Sequence, residues 1–222
     1  MTEEEKQKLS LTGTAYRYVF DGIMNGRYRA GQSISPDTLA SNLNMSKTPI
    51  REALLQLETE GLIVRNGRFY NIIYLDENEV IELYEVRAIL EAEASAMAAA
   101  RMTDDIRKDL KETLRIIKKM SSAENPDPIM LADLNGKLHS MIAAASGNRY
   151  IVEYTSNIRL KLKVVRTTLF SSFDRREVEL KEHEKVIEAV LSGNQATARR
   201  SMWEHEMEVL EYLKASVLNK IY

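Results

Sequence analysis

The sequence contains no cysteine, only four prolines in 222 residues, and no apolar run near the roughly 18 residues of a membrane-spanning helix. The missing cysteine excludes disulfides, thiolate nucleophiles and cysteine-ligated zinc fingers. The missing apolar run excludes an integral helical membrane protein. The opening Met1-Thr2-Glu3-Glu4-Glu5-Lys6 is too acidic and polar for a secretory signal. A cytoplasmic protein without a membrane partner is therefore expected. An excess of one charge sign is lacking too: 31 Lys and Arg against 33 Asp and Glu give a net charge of −2 and a pI near 6.0. That balance excludes a histone-like chain and an acidic disordered one, but not local basic clustering, which is what nucleic-acid binding needs.

Glycine is scarce and uneven. Six of the nine, Gly13, Gly22, Gly26, Gly31, Gly61 and Gly67, precede residue 70. Glycine marks tight turns between short elements, so the first third reads as a compact domain and the rest as long helices. Tyr16, Val19, Phe20 and Ile23 form one helical stripe that Gly26 ends. Pro36 and Asp37 open a second helix carrying Leu39 and Leu43, closed by Asn44. Ser46 is suited to N-cap a third, with Ile50, Ala53, Leu54 and Leu57 inward and Gly61 at its end. Asn66-Gly67 between two β-rich runs then predicts a hairpin. From Asp76 onward the pattern predicts about six helices, at 77–101, 104–121, 128–146, 148–171, 175–192 and 194–219, punctuated at Thr103-Asp104, Asn125-Pro126-Asp127-Pro128, Gly147-Asn148, Asp174 and Gly193-Asn194. The expected fold is mostly α. A winged helix-turn-helix of three helices plus a β-hairpin wing (1–75) precedes an all-α antiparallel helical bundle (76–222).

Residues 45–54, Met-Ser-Lys-Thr-Pro-Ile-Arg-Glu-Ala-Leu, place small polar and basic groups at a helix start. A recognition helix enters the major groove with its N-terminal end, where free amides favour phosphate. Arg51, one turn in, is positioned for a guanine edge. Ser46, Lys47 and Thr48 are positioned for phosphates, and Arg65 and Arg68 flank the hairpin turn. Residues 10–75 carry 7 basic and 5 acidic groups, so charge alone is equally compatible with a solvated surface. Helix order and the placement of the basic groups favour DNA.

These segments, with Gly22–Gly26, Tyr28–Gly31, Leu39-Ala40 and Leu57–Leu62, resemble the GntR family of bacterial transcription regulators. The resemblance covers the N-terminal domain continuously. It implies that Ser46, Lys47, Thr48 and Arg51 contact an operator, with Gly67 at the wing tip. Two positions depart from the family pattern. Lys47 stands where arginine is more common, replacing a bidentate contact by a point charge. Asp37 falls near a position where some relatives carry a DNA-contacting arginine, so that contact is expected to be absent.

The three histidines all lie in the helical part on apolar faces. His139 aligns with Ile142 and Ala143, His183 with Leu180, Val186, Ile187 and Val190, and His205 with Met202, Val209 and Tyr212. Asn135 lies one turn before His139. Bundles build metal sites from such inward donors, and imidazoles with one oxygen suit Zn, Ni, Cu or Fe. Three core histidines satisfied by hydrogen bonds are the alternative. Arg87, between Leu83 and Leu90, also faces inward, either to pair with an internal Glu91 or Glu93 or to anchor an effector carboxylate.

The stretches around Asn135–His139, Ala145–Asn148, His183–Val190 and Met202–His205 resemble the FCD effector-binding domain of the FadR-type GntR subfamily. That resemblance implies one divalent metal per subunit, zinc or nickel, held by Asn135, His139, His183 and His205, with Asn135 standing where the family most often has aspartate. It further implies a homodimeric regulator, expected to be a repressor, of an inverted-repeat operator, responding to a small organic acid bound at the metal. Two other readings are a directly metal-responsive regulator and a metallohydrolase fused to a DNA-binding module. Against the hydrolase, the His-Glu-x-x-His arrangement is absent. No catalytic residue is expected.

Overall fold

The computed structural model describes residues 11–125, 127–169 and 175–218. These form two compact units: residues 11–76 with 159–169, and residues 77–158 with 175–218.

In the first unit, α1 (Leu11–Met24), α2 (Pro36–Leu43) and α3 (Lys47–Thr59) pack with a three-stranded antiparallel sheet of β1 (Ser33–Ile34), β2 (Ile63–Asn66) and β3 (Phe69–Ile72), ordered β1-β3-β2. The third strand was not expected from the sequence. Two residues carry too little periodicity to announce a strand, and β1 exists because Ser33 and Ile34 pair with Asn71 and Tyr70 of β3. Ser35 caps α2 by accepting from the Thr38 amide, and Asn44 ends it in the left-handed region at φ 50°. Ser46 occupies the N-cap of α3, but its hydroxyl makes no capping bond. Ile50, Ala53, Leu54 and Leu57 are each at most 1% exposed and pin α3 against Ala15, Val19 and Ile23 of α1. At roughly 1.5–3 kcal/mol per buried aliphatic side chain, that stripe fixes which face α3 turns outward.

The hairpin differs by one residue from the expected register. Asn66 pairs with Phe69, so the two-residue loop is Gly67-Arg68 rather than Asn66-Gly67. Gly67 takes φ +62° at the first central position, which type II′ turns reserve for glycine. Arg68 thus sits in the turn itself and does not flank it.

The second unit holds α4 (Glu77–Ala100), α5 (Asp104–Ser121), α6 (Pro128–Ala145), the first half of α7 (Arg149–Leu169), α8 (Arg176–Leu191) and α9 (Gln195–Leu213), which a π-helical turn (Lys214–Leu218) follows. Side-chain caps begin four of these helices. Thr103 accepts from Ile106, Asp127 from Met130, Asn148 from Tyr150 and Ile151, and Asn194 from Thr197. The expected extensions to 171 and 219, and the punctuation at Asp174, lie outside the described residues. The core runs from Ala98 and Ala99 of α4 through Leu110, Leu138, Ile142, Val186 and Val190 to Met202 of α9. Small residues along α4 (Ala88, Ala92, Ser95) let α9 pack closely against it. That approach brings buried polar groups on both helices together.

Candidate functional site

The first unit presents a basic face. With its apolar stripe buried, α3 leaves Lys47, Thr48 and Arg51 exposed, and Ser46 precedes them in the open. The hairpin adds Arg65, Gly67 and Arg68, all exposed. A groove of about 810 Å³ runs between the start of α2, the start of α3 and the wing, lined by Asp37, Lys47, Arg51, Arg65 and Arg68 among others. Arg65 donates to the Gly67 carbonyl at 3.2 Å, which holds it along the wing, and the Arg68 guanidinium lies 5.1 Å from the centre of the Phe69 ring. Lys47 is not free: its ammonium pairs with Asp37 at 2.9 Å.

The second unit encloses the three histidines. His139, His183 and His205 are 3%, 0% and 3% exposed, and each offers a donor nitrogen within 4.8 Å of the others'. The Nε2 atoms of His139 and His183 stand 3.1 Å apart. A carboxylate stands behind each of two rings: Glu91 bonds His139 Nδ1, and Glu182 accepts from His205 Nδ1 at 2.9 Å. A carboxylate on Nδ1 fixes the tautomer, turns Nε2 outward as a lone pair and raises its basicity. Burial, then the neighbouring His205 and His139, hold His183 well below the usual imidazole range. Burial, then Arg87, push His205 down to about 3. The two rings are therefore neutral at physiological pH, as metal ligands must be. The Asn135 Oδ1 and His183 Nδ1 atoms are buried with no hydrogen-bond partner. Such orphans are costly, and Asn135 lies one helical turn before His139. The donor set fits a divalent metal.

Arg87, its side chain 12% exposed, is divided between two carboxylates, reaching Glu91 with Nε at 2.8 Å and Glu206 with a terminal nitrogen at 2.8 Å. Burial works against its charge, but Glu206 and Glu91 outweigh burial and hold the guanidinium protonated. Of the two partners named from the sequence, Glu91 pairs with it, whereas Glu93 pairs with Arg199 at 2.9 Å. Glu206 and Glu182 were not foreseen in these roles. Glu206 lies on the apolar stripe of Met202, Val209, Leu210 and Leu213, so an internal acid was legible there, opposite an internal arginine. Glu182 adjoins His183 in sequence. Its partners are His205 on α9 and Arg175 at the N-cap of α8, and no local pattern announces them.

The sequence profile of the FCD domain matches residues 82–208, and that of the bacterial regulatory proteins of the gntR family matches residues 11–69. The chain is similar to the uncharacterized HTH-type transcriptional regulator YdhC of Bacillus subtilis, 29% identical with 86% of each protein covered. It is also similar to the gluconate operon transcriptional repressor of Bacillus subtilis, 26% identical over 89% of this chain and 84% of the repressor. Its fold resembles the solved structure of Escherichia coli McbR/YncC, with a TM-score of 0.78 at 20% identity, covering 93% of this chain and 98% of that one.

Proposed function

Since the chain belongs to the GntR family of bacterial regulatory proteins and carries an FCD domain, we propose that its affinity for operator DNA is governed by a small organic acid bound at a divalent metal. It is a transcriptional regulator and not an enzyme, like the relatives it matches. In this reading residues 1–75 read DNA, and residues 76–222 sense the effector and dimerise. A cytoplasmic homodimer engages an inverted repeat, one half-site per subunit.

The observation that carries the proposal is the buried histidine triangle. His139, His183 and His205 would hold the metal through nitrogen, and Asn135 through its partnerless Oδ1. Imidazoles suit zinc or nickel. A bound metal would supply a positive centre for a carboxylate oxygen. Charge supports that order of events. In formal charges, Arg87 with Glu91 and Glu206 sums to −1, and Arg175 with Glu182 sums to zero. A divalent cation takes the cluster to +1, and one carboxylate brings it to neutrality. Arg87, the residue named from the sequence as an anchor for an effector carboxylate, would act on that site while paired with Glu91 and Glu206. A relative named for a gluconate operon is in keeping with a carboxylate effector. Repression relieved by the acid requires it to bind one arrangement of the dimer better than the other. A coupling of about 1–3 kcal/mol changes operator affinity roughly 5- to 150-fold.

Thermal unfolding of metal-loaded protein against a panel of small carboxylates, each repeated after chelation, tests this. A specific rise in Tm that chelation abolishes is expected. If no carboxylate shifts the melt while chelation still lowers it, the metal itself is the signal or a structural element. Operator binding at limiting free metal then distinguishes those two.

Asn135→Asp adds a carboxylate to the donor set. It should tighten metal binding on the order of tenfold or more, the scale on which even outer-shell partners act. Competition against a chelator of known affinity reads this, and unchanged or weaker binding removes Asn135 from the site. On the DNA side, Arg51→Ala should cost about 1–3 kcal/mol of operator affinity and relax base preference. An equal loss on random DNA would reduce Arg51 to a phosphate contact.

A further inference from the structure

One group on the DNA-facing surface is out of keeping with its surroundings. Asp37, in the first turn of α2, puts a carboxylate into the groove lined by Lys47, Arg51, Arg65 and Arg68. It lies 2.9 Å from Lys47, the first residue of α3, and its side chain is 69% exposed. Lys47, then Arg51 and Arg68, lower its pKa, so it is ionised whenever the protein binds DNA. A first-turn acid favours a helix start. That accounts for an acidic residue in α2, but not for one held against the leading end of the recognition helix.

When phosphates engage the surrounding cations, a carboxylate at the same depth is repelled unless it meets a hydrogen-bond donor. DNA presents few donors to a pure acceptor. In the major groove these are the N4 amine of cytosine and the N6 amine of adenine. Adenine sets its N7 lone pair beside N6, where it repels the second carboxylate oxygen. Cytosine sets a C–H beside N4. Arg51, one turn further along α3, complements this by donating to guanine O6 and N7.

From this juxtaposition we infer that Asp37 is a specificity-determining residue that selects a cytosine in each operator half-site, by accepting from its N4 amine beside the base that Arg51 reaches. The inference rests on the operator-binding reading. Off DNA, the same carboxylate ties down Lys47 and so weakens attachment to sequences that lack the cytosine.

Selection of bound duplexes from a random library, with the full-length wild type, Asp37→Asn and Asp37→Ala, tests the assignment. Wild type should enrich one position per half-site in cytosine, by about 5- to 150-fold over other bases. Asp37→Asn should move that position toward adenine, whose N6 and N7 match a carboxamide. Asp37→Ala should lose the preference, bind random DNA more tightly, and gain about one released counterion in its salt dependence. Thermal melts of both variants report any loss of the helix-start contribution separately. Identical base distributions in all three proteins overturn the inference while leaving operator binding intact. A wild type that enriches no sequence overturns both.

Discussion

Arg87→Met should destabilise the metal-free protein by about 3–5 kcal/mol, the cost of leaving a buried ion pair with one member removed. Glu91 and Glu206 are 2% and 0% exposed, and Arg87 is paired with both. Methionine fills much the same volume, so the loss reports charge more than cavity. Two further results should accompany it. Adding Glu206→Gln to Arg87→Met should recover part of the loss, because one uncompensated carboxylate disappears. A divalent metal should stabilise Arg87→Met more than wild type, because a cation in the same cluster takes over part of the missing charge. Denaturant midpoints at a constant m-value measure all of these. A loss under about 1 kcal/mol would mean that water reaches the carboxylates, since exposed ion pairs are worth no more than that.

His183→Ala should abolish metal-dependent stabilisation. Free metal at a thousandfold excess over its Kd stabilises the native state by about 4 kcal/mol. His183 is central to the donor set: it is wholly buried, 3.1 Å from His139 Nε2, and its ring centre lies 4.7 Å from that of His205. Removing the ring also opens a cavity, so each protein is compared with its own chelated form and the packing loss cancels. The expected outcome is a Tm difference between loaded and chelated protein that is large in wild type and near zero in His183→Ala. The operator response to carboxylates should vanish with it. A variant that keeps the full metal-dependent shift would place the metal elsewhere, and the site formed by Glu91, His139 and Glu206 would be next to test.

Most of the fold was legible in the chain. Helices α1 to α9 fall within a few residues of the periodic stripes, and six of them follow the wing as expected. What the pattern missed has local causes. Strand β1 is two residues long and owes its existence to its partner, and the hairpin loop shifted by one residue because Asn66 pairs with Phe69. The candidate metal site was half legible. Each histidine announced itself by falling on an apolar stripe, as did Arg87.

Which residues face inward and which stay in water can be read from the chain's periodicity. Periodicity is a property of one helix, and caps, turns and stripes act over a few residues. On that basis the chain already contained three inward imidazoles, an inward guanidinium at Arg87, and a basic face at the start of α3. Which of these groups meet is set by how the helices pack. Glu91 of α4 stands behind His139 of α6, Glu182 of α8 behind His205 of α9, Glu206 of α9 beside Arg87 of α4, and Asp37 of α2 against Lys47 of α3. Those pairs follow from which helices are neighbours and how far each is turned about its axis. Packing of the whole core sets both, and the energy of a buried charge depends on both.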